Sequence, residues 1–232
     1  LTNGRVGIGT TAPTVPLHIK GTPVQTSGAR AAQLYIEDTT AFGSVQNSGI
    51  QFRQIYHTDG SITSTSGIVG LRISTSSGNF GGALIFQTRA NGADLADNMI
   101  IGADGNVGIG TTAPTELLHL KSNTSNKPVL ILEDTSNDAE CAELQFKKIT
   151  GAASDDDRCG EILFKAQADD DSEQNYHTYR VQTLDVSNGS EDSLVTFNNM
   201  SDGSLVNVMA FNSNFVGIKT ASPSAFLHVK NA

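Results

Sequence analysis

Three histidines recur in one sequence frame: Leu17-His18-Ile19, Leu118-His119-Leu120 and Leu227-His228-Val229. If copies of the chain met about an axis with these positions inward, three imidazoles per layer would make a metal or anion site. The plainer reading makes each histidine the polar partner in an apolar–polar–apolar strand, and we adopt it. His57 and His177 are read as lying in polar turns, with no Ser or Cys at a recognisable spacing for nucleophilic chemistry, although triads assemble in space. Asp155-Asp156-Asp157 and Asp169-Asp170-Asp171 offer oxygens to calcium but lack the fixed glycine and terminal glutamate of an EF-hand loop, and read as solvated acidic turns. The GxG of Val107-Gly108-Ile109-Gly110 lacks the GxxxxGK[ST] spacing and precedes no long helix, so it is no phosphate cradle. Cys141 and Cys159 form no CxxC pair and have no clustered histidine; a bridge across a hairpin is one arrangement, two free thiols the simpler one. We therefore expect no enzyme, no catalytic, cofactor-binding or metal residue, and no cofactor.

The histidines belong to a longer repeat. VGIGTTAPTVPLHIK runs from Val6 to Lys20, VGIGTTAPTELLHLK from Val107 to Lys121, and VGIKTASPSAFLHVK from Val216 to Lys230. The copies start 101 and 109 residues apart, a long internal period that sets the organisation of the chain. Five segments follow: connector copies at 1–20, 104–121 and 212–232, with β modules at 21–103 and 122–211.

Composition limits what the modules can be. In 232 residues, 38% are hydrophobic, 6% aromatic and none is Trp, which is little apolar side chain for a thick core. The sequence is nonetheless too β-branched and too patterned for disorder. A thin β structure that completes its core with other chains reconciles the two. Net charge is −9, and 133–173 accounts for all of it with thirteen acids against four bases. No basic stripe exists to meet a phosphate backbone, so nucleic acid is not expected as a partner. No apolar run approaches the ~20 residues of a membrane span, so insertion is not expected, and no signal peptide is visible. The chain opens on Leu1 inside a repeat, as a fragment of something longer would.

Strand signals follow one another without any sustained helical period. In the first module they are Leu34–Thr39, Ile50–Ile55, Ile68–Ile73, Ala83–Thr88 and Asn98–Ile101, each 4–8 residues long and bounded by Gly, Asn, Asp or Ser. The second module repeats the plan. Leu130–Thr135 answers Leu34–Thr39, Leu144–Ile149 answers Ile50–Ile55, Glu161–Ala166 answers Ile68–Ile73, Leu194–Phe197 answers Leu84–Gln87, and Val208–Phe211 leads into the third connector. The acidic runs are insertions in turns, where added length costs little.

Each connector reads as strand, turn, strand. Gly108 and Gly110 leave one face of the first strand nearly bare, and a neighbouring chain packing there would explain them; bulk at Gly108 is then expected to disrupt assembly. Thr112 is placed to cap a single helical turn, and Pro114 fixes φ for the change of direction. Lys219, standing where the other copies have glycine, shows that this position tolerates a long side chain.

The motif VGIGTTxPxxxLHVK, present three times, resembles a repeat of tailed-bacteriophage tail fibres and related virion appendages, often found upstream of a self-cleaving intramolecular chaperone. The LxIEDT and QF elements of the modules carry a weaker likeness. No chaperone-like sequence follows Ala232, as expected of a mature, cleaved fibre or of a segment. The resemblance implies an all-β, elongated, repeat-containing, intertwined homotrimeric fibre with short strand–turn–strand connectors. It also implies a structural and adhesive role in a virion tail fibre, as an extracellular appendage that supports or takes part in host attachment and receptor binding. Partners would be the chain itself, other virion tail or baseplate proteins, and a host cell-surface receptor or glycan. A capsid or collar decoration fibre is the alternative. A polysaccharide-degrading tailspike would need paired carboxylates about 5–10 Å apart in a groove, and few aromatics are present to stack sugars.

Overall fold

A computed structural model describes residues 4–21, 36–39, 47–149 and 151–230. Every regular element among them is a strand, and none is a helix. The chain divides into two compact units, Leu1–Leu130 and Ile131–Ala232.

In the first unit, β1 (Val6–Ile8) and β2 (Leu17–Ile19) pair in parallel as a two-stranded sheet. A six-stranded sheet follows, with β3 (Asn47–Ile55), β4 (Ile62–Arg72), β5 (Gly82–Arg89), β6 (Leu95–Ile101), β7 (Val107–Ile109) and β8 (Leu118–Leu120) side by side in chain order. The first five form an antiparallel meander, and β8 closes the sheet parallel to β7. The turns carry the expected signals: Asp59-Gly60, Ser77-Gly78 and Asp104-Gly105, with the glycines at φ +86°, +77° and +86°.

The second unit has the same order. It runs β9 (Arg158–Gln167), β10 (Glu173–Asp185), β11 (Asp192–Ser201), β12 (Ser204–Asn212), β13 (Phe215–Ile218) and β14 (Leu227–Val229), again ending in a parallel pair.

Register shows how each sheet is faced, because partnered residues share a side. In the first sheet one row crosses all six strands as Ile50, Ile68, Phe86, Met99, Ile109 and Leu120. The second sheet repeats it as Ile162, Tyr179, Phe197, Met209, Ile218 and Val229. The opposite faces carry Gly49, Val69, Ile85, Ile100, Gly108 and His119 in the first unit. In the second unit the corresponding row is Glu161, Arg180, Thr196, Ala210, Gly217 and His228. Among the described residues the buried core lies on this opposite face. It is small: Ala83, Ile85 and Ile100 with Val69 and Leu71 against them. The second unit buries Leu194 and Ala210 on this face, but sets beside them the buried Thr178 and Thr196 and a half-buried Arg180–Glu161 ion pair at 2.6 Å.

These registers correct the sequence alignment of the modules. Ile162 occupies the place of Ile50, so Glu161–Ala166 answers the first strand of the sheet and not Ile68–Ile73. The counterpart of β4 is β10, a strand absent from the sequence alignment although its Tyr179 and Val181 alternate with Thr178, Arg180 and Gln182. Leu130–Thr135 and Leu144–Ile149 are not strands. The latter is held by side chains: Phe146 packs on Gly160, where a Cβ would come within 2.6 Å of its own, and Lys148 pairs with Asp157 at 2.5 Å. Ile36–Thr39 is not a strand either, and Leu34 and Tyr35 lie outside the described residues.

Candidate functional site

The three copies of the repeat form one structure three times. In each, a three-residue strand from the valine is joined by eight residues, in the central copy Gly110 to Leu117, to a parallel strand centred on the histidine. Parallel pairs ordinarily need a dozen or more connecting residues, usually with a helix. Eight suffice here because each parallel pairing is only three residues long, about 10 Å, so the return path is short. Backbone bonds close both ends: Val107 N–H to the Leu117 carbonyl at 2.9 Å and Lys121 N–H to the Ile109 carbonyl at 3.0 Å.

The glycine face is covered from within the chain. A Cβ on Gly108 would lie 2.4 Å from the Thr111 carbonyl oxygen and 3.1 Å from Ile100 Cγ2. Gly7 and Gly217 stand in the same relation to Thr10 and Thr220, at 2.3 and 2.1 Å. The link folds over its own strand, and only glycine leaves it room. Gly9 and Gly110 answer a second demand, with φ of +71° and +74°, and a Cβ at Gly110 would sit 2.1 Å from the Lys121 carbonyl oxygen. Lys219 takes the same left-handed conformation at φ +58°.

The turn is tied by Thr111 and not by Thr112. Thr111 Oγ1 accepts the Ala113 N–H at 3.3 Å, and Thr10 and Thr220 accept equivalent bonds from Ala12 and Ser222. Such a hydroxyl turn two residues long takes the place of a helical cap.

Each histidine then clamps the link. His119 Nδ1 accepts the Thr115 N–H at 3.3 Å, His18 that of Thr14 at 3.4 Å, and His228 that of Ser224 at 3.2 Å. An Nδ1 that accepts a backbone N–H fixes the tautomer with its proton on Nε2. The histidines share the glycine side of the sheet, opposite Leu118 and Leu120. If the apolar side is the one that meets other copies, the imidazoles face away from them, against a metal layer on an axis.

Elsewhere the polar candidates are engaged locally. Asp157 bonds Lys148 and the Ser154 N–H, which hold its carboxyl below its ordinary value, the Lys148 bond being the larger cause. Asp170 accepts from the Ser172 hydroxyl and N–H, which likewise hold its carboxyl down. Asp155 caps the Val186 N–H at 3.0 Å, and Asp171 accepts from Gln167 at 3.1 Å. No group of three or more His, Cys, Asp or Glu suited to a metal occurs among the described residues. His57 lies outside the strands beside Asp59 at 3.1 Å, but His177 lies within strand β10 and not in a turn, packed against Phe164 and paired with Asn199. Cys141 and Cys159 are free thiols. No helix among the described residues is long and apolar enough to cross a membrane.

Sequence reasoning missed two surfaces. One is the six-strand apolar row, legible only once register is known; Leu118 and Leu227, beside it on the same face, are 58% and 63% exposed. The other is a hollow of about 350 Å³ at one end of the first sheet, lined by Tyr56, Thr63, Thr65, Arg89 and the turn Ala90–Gly92. Arg89 spans it, donating to Thr63 Oγ1 and to the Ala93 carbonyl.

Strand order, facing and joints together define an all-β protein of meander sheets, each finished by a parallel strand. Solved structures similar in fold include two of one tail-fibre domain. One is the carboxy-terminal domain of the bacteriophage T5 L-shaped tail fibre, with TM-score 0.59 at 12% identity, over 89% of this chain and 91% of that one. The other is the same domain with its intra-molecular chaperone domain, with TM-score 0.61 at 14% identity, over 89% of this chain and 62% of that one. No family model and no curated protein matches the sequence.

Proposed function

We propose that this chain is a structural and adhesive segment of a virion tail fibre, working as a parallel homotrimer in an extracellular appendage that takes part in host attachment. The observation that carries the reading is the apolar row that each of the two sheets carries, left open on one side within its own unit. A compact monomer of this mass presents about 10,000 Å² and two separate compact units about 12,000 Å², whereas this chain presents 17480 Å². Soluble monomers rarely leave contiguous apolar patches of more than a few hundred Å². A face of six aligned large side chains, twice over, fits burial against copies of itself, and the tail-fibre fold supports that partner. Other tail or baseplate proteins would meet the assembly elsewhere. The role assigned to the joints is mechanical, since their Gly, Thr and His are committed to closing the backbone, and no enzyme activity is assigned to the chain. Receptor or glycan contact is assigned to the loops and the hollow beside Tyr56 and Arg89, where a polar rim and an exposed ring suit a polar ligand.

Light scattering of the purified protein tests the assembly. Three copies per particle are expected, with Phe197→Asp lowering the number while strand content by circular dichroism persists. A stable wild-type monomer would refute the proposal.

A further inference from the structure

Two asparagine–glycine turns lie within the described residues, Asn91-Gly92 between β5 and β6 and Asn188-Gly189 between β10 and β11. Both are exposed, and both glycines take positive φ, +76° and +87°. Both turns are closed alike, by Ala93 N–H to the Ala90 carbonyl and by Ser190 N–H to the Ser187 carbonyl. They differ in one bond. The Gly189 N–H donates to Glu191 Oε2 at 3.1 Å, whereas no acceptor holds the Gly92 N–H among the described residues.

We infer that Asn91 is a site of spontaneous deamidation on the folded protein, and that Asn188, of the same sequence type, is protected by Glu191. Asparagine is among the thermolabile residues, and a following glycine, lacking Cβ, lets the next backbone nitrogen reach the side-chain carbon. The Gly92 nitrogen loses its proton and bonds to Asn91 Cγ, the Cγ–NH₂ bond breaks, and ammonia leaves a five-membered imide. Water then opens the ring at either carbonyl, giving aspartate or isoaspartate. The sum is amide plus water to carboxylate plus ammonium, with no oxidant or reductant. At Asn188 the attacking nitrogen must first give up its bond to Glu191. That carboxylate is far too weak a base to remove an amide proton, and its charge opposes the anionic nitrogen that the attack requires.

The site matters because Asn91 borders the hollow spanned by Arg89. Conversion places a carboxylate beside that guanidinium, near Asp94, which already lies 3.9 Å from Arg89 Nη2. An ageing population of the protein would thus carry two charge states at this surface.

The test follows both asparagines by peptide mass spectrometry while the intact protein is held at mildly alkaline pH. Asn91 is expected to convert about fivefold faster than Asn188, the factor corresponding to one exposed hydrogen bond of ~1 kcal/mol. Glu191→Ala, which removes the acceptor, is expected to quicken Asn188 and leave Asn91 unchanged. Conversion of Asn188 as fast as Asn91, or no response of Asn188 to Glu191→Ala, would overturn the inference.

Discussion

The carbonyl oxygen of Thr111 lies 2.4 Å from the point where a Cβ on Gly108 would begin. The link of the joint is thereby seated on its own strand, and the side chain of residue 108 is excluded by the same chain, before any other copy arrives. Gly108→Ala is therefore expected to destabilise the first unit by about 2–3 kcal/mol, the scale of overpacking a tight site. Thermal melts across a wide dilution series check it. The loss should persist where assembly is absent; a loss seen only in the assembled protein would return the glycine to an interface role.

Lys219 holds the conformation that glycine holds at positions 9 and 110. Left-handed backbone costs an ordinary residue roughly 1–2 kcal/mol, so Lys219→Gly is expected to stabilise the third joint by about 1 kcal/mol once glycine's greater unfolded-state entropy is subtracted. A rise in melting temperature of the second unit is the readout.

His119→Ala leaves the Thr115 N–H without its acceptor, at a cost of about 1 kcal/mol. Hydrogen exchange should quicken at Thr115 and its neighbours in the link while β5 and β6 keep their protection. An unchanged rate at Thr115 would remove the clamp role.

Much of this was legible in the sequence, and the boundary of what was not has a physical basis. Strand–turn–strand at Val107–Lys121 could be read because apolar alternation, Gly and Pro act locally. The covering of Gly108 could not, because alternation shows that a face is bare and not what lies over it. The strand β10 does alternate, with Tyr179 and Val181 against Thr178, Arg180 and Gln182. It is hard to match to β4 because Arg180 stands where the first unit has Val69, so the run does not resemble Ile68–Ile73. Leu130–Thr135 was read as a strand because its side chains suit one, yet strands exist only by pairing, and this run has no pairing partner among the described residues of its own chain.

The Arg180–Glu161 pair offers a test of that replacement. Arg180→Val alone leaves Glu161 half-buried without its bidentate donor and is expected to cost more than the double change Arg180→Val with Glu161→Gly, which recreates the Val69 and Gly49 of the first unit. Denaturant melts of the two variants decide it; equal losses would mean the pair is dispensable.

Acid should loosen the base of β9. The carboxyl of Asp157 is held below its ordinary value of 3.8, chiefly by Lys148. A lowered folded value means that the stabilisation is fully present above the ordinary value and is lost as pH falls through the lowered one. Wild type and Asp157→Asn should therefore differ most in melting temperature near neutrality and converge in strong acid. A difference that does not shrink with acidification would assign the effect to something other than this carboxylate.

The joints have a kinetic consequence as well. Their closing contacts link residues between 3 and 12 positions apart, from Gly108 with Thr111 to Ile109 with Lys121. Loops of about ten residues close in roughly 10–100 ns, long before chains at ordinary concentrations can meet. In the trimer we propose, burial of the apolar rows would instead await a collision between chains. Each chain would then reach that encounter with its joints already latched, and the slow, concentration-dependent step would begin from strands whose register is set.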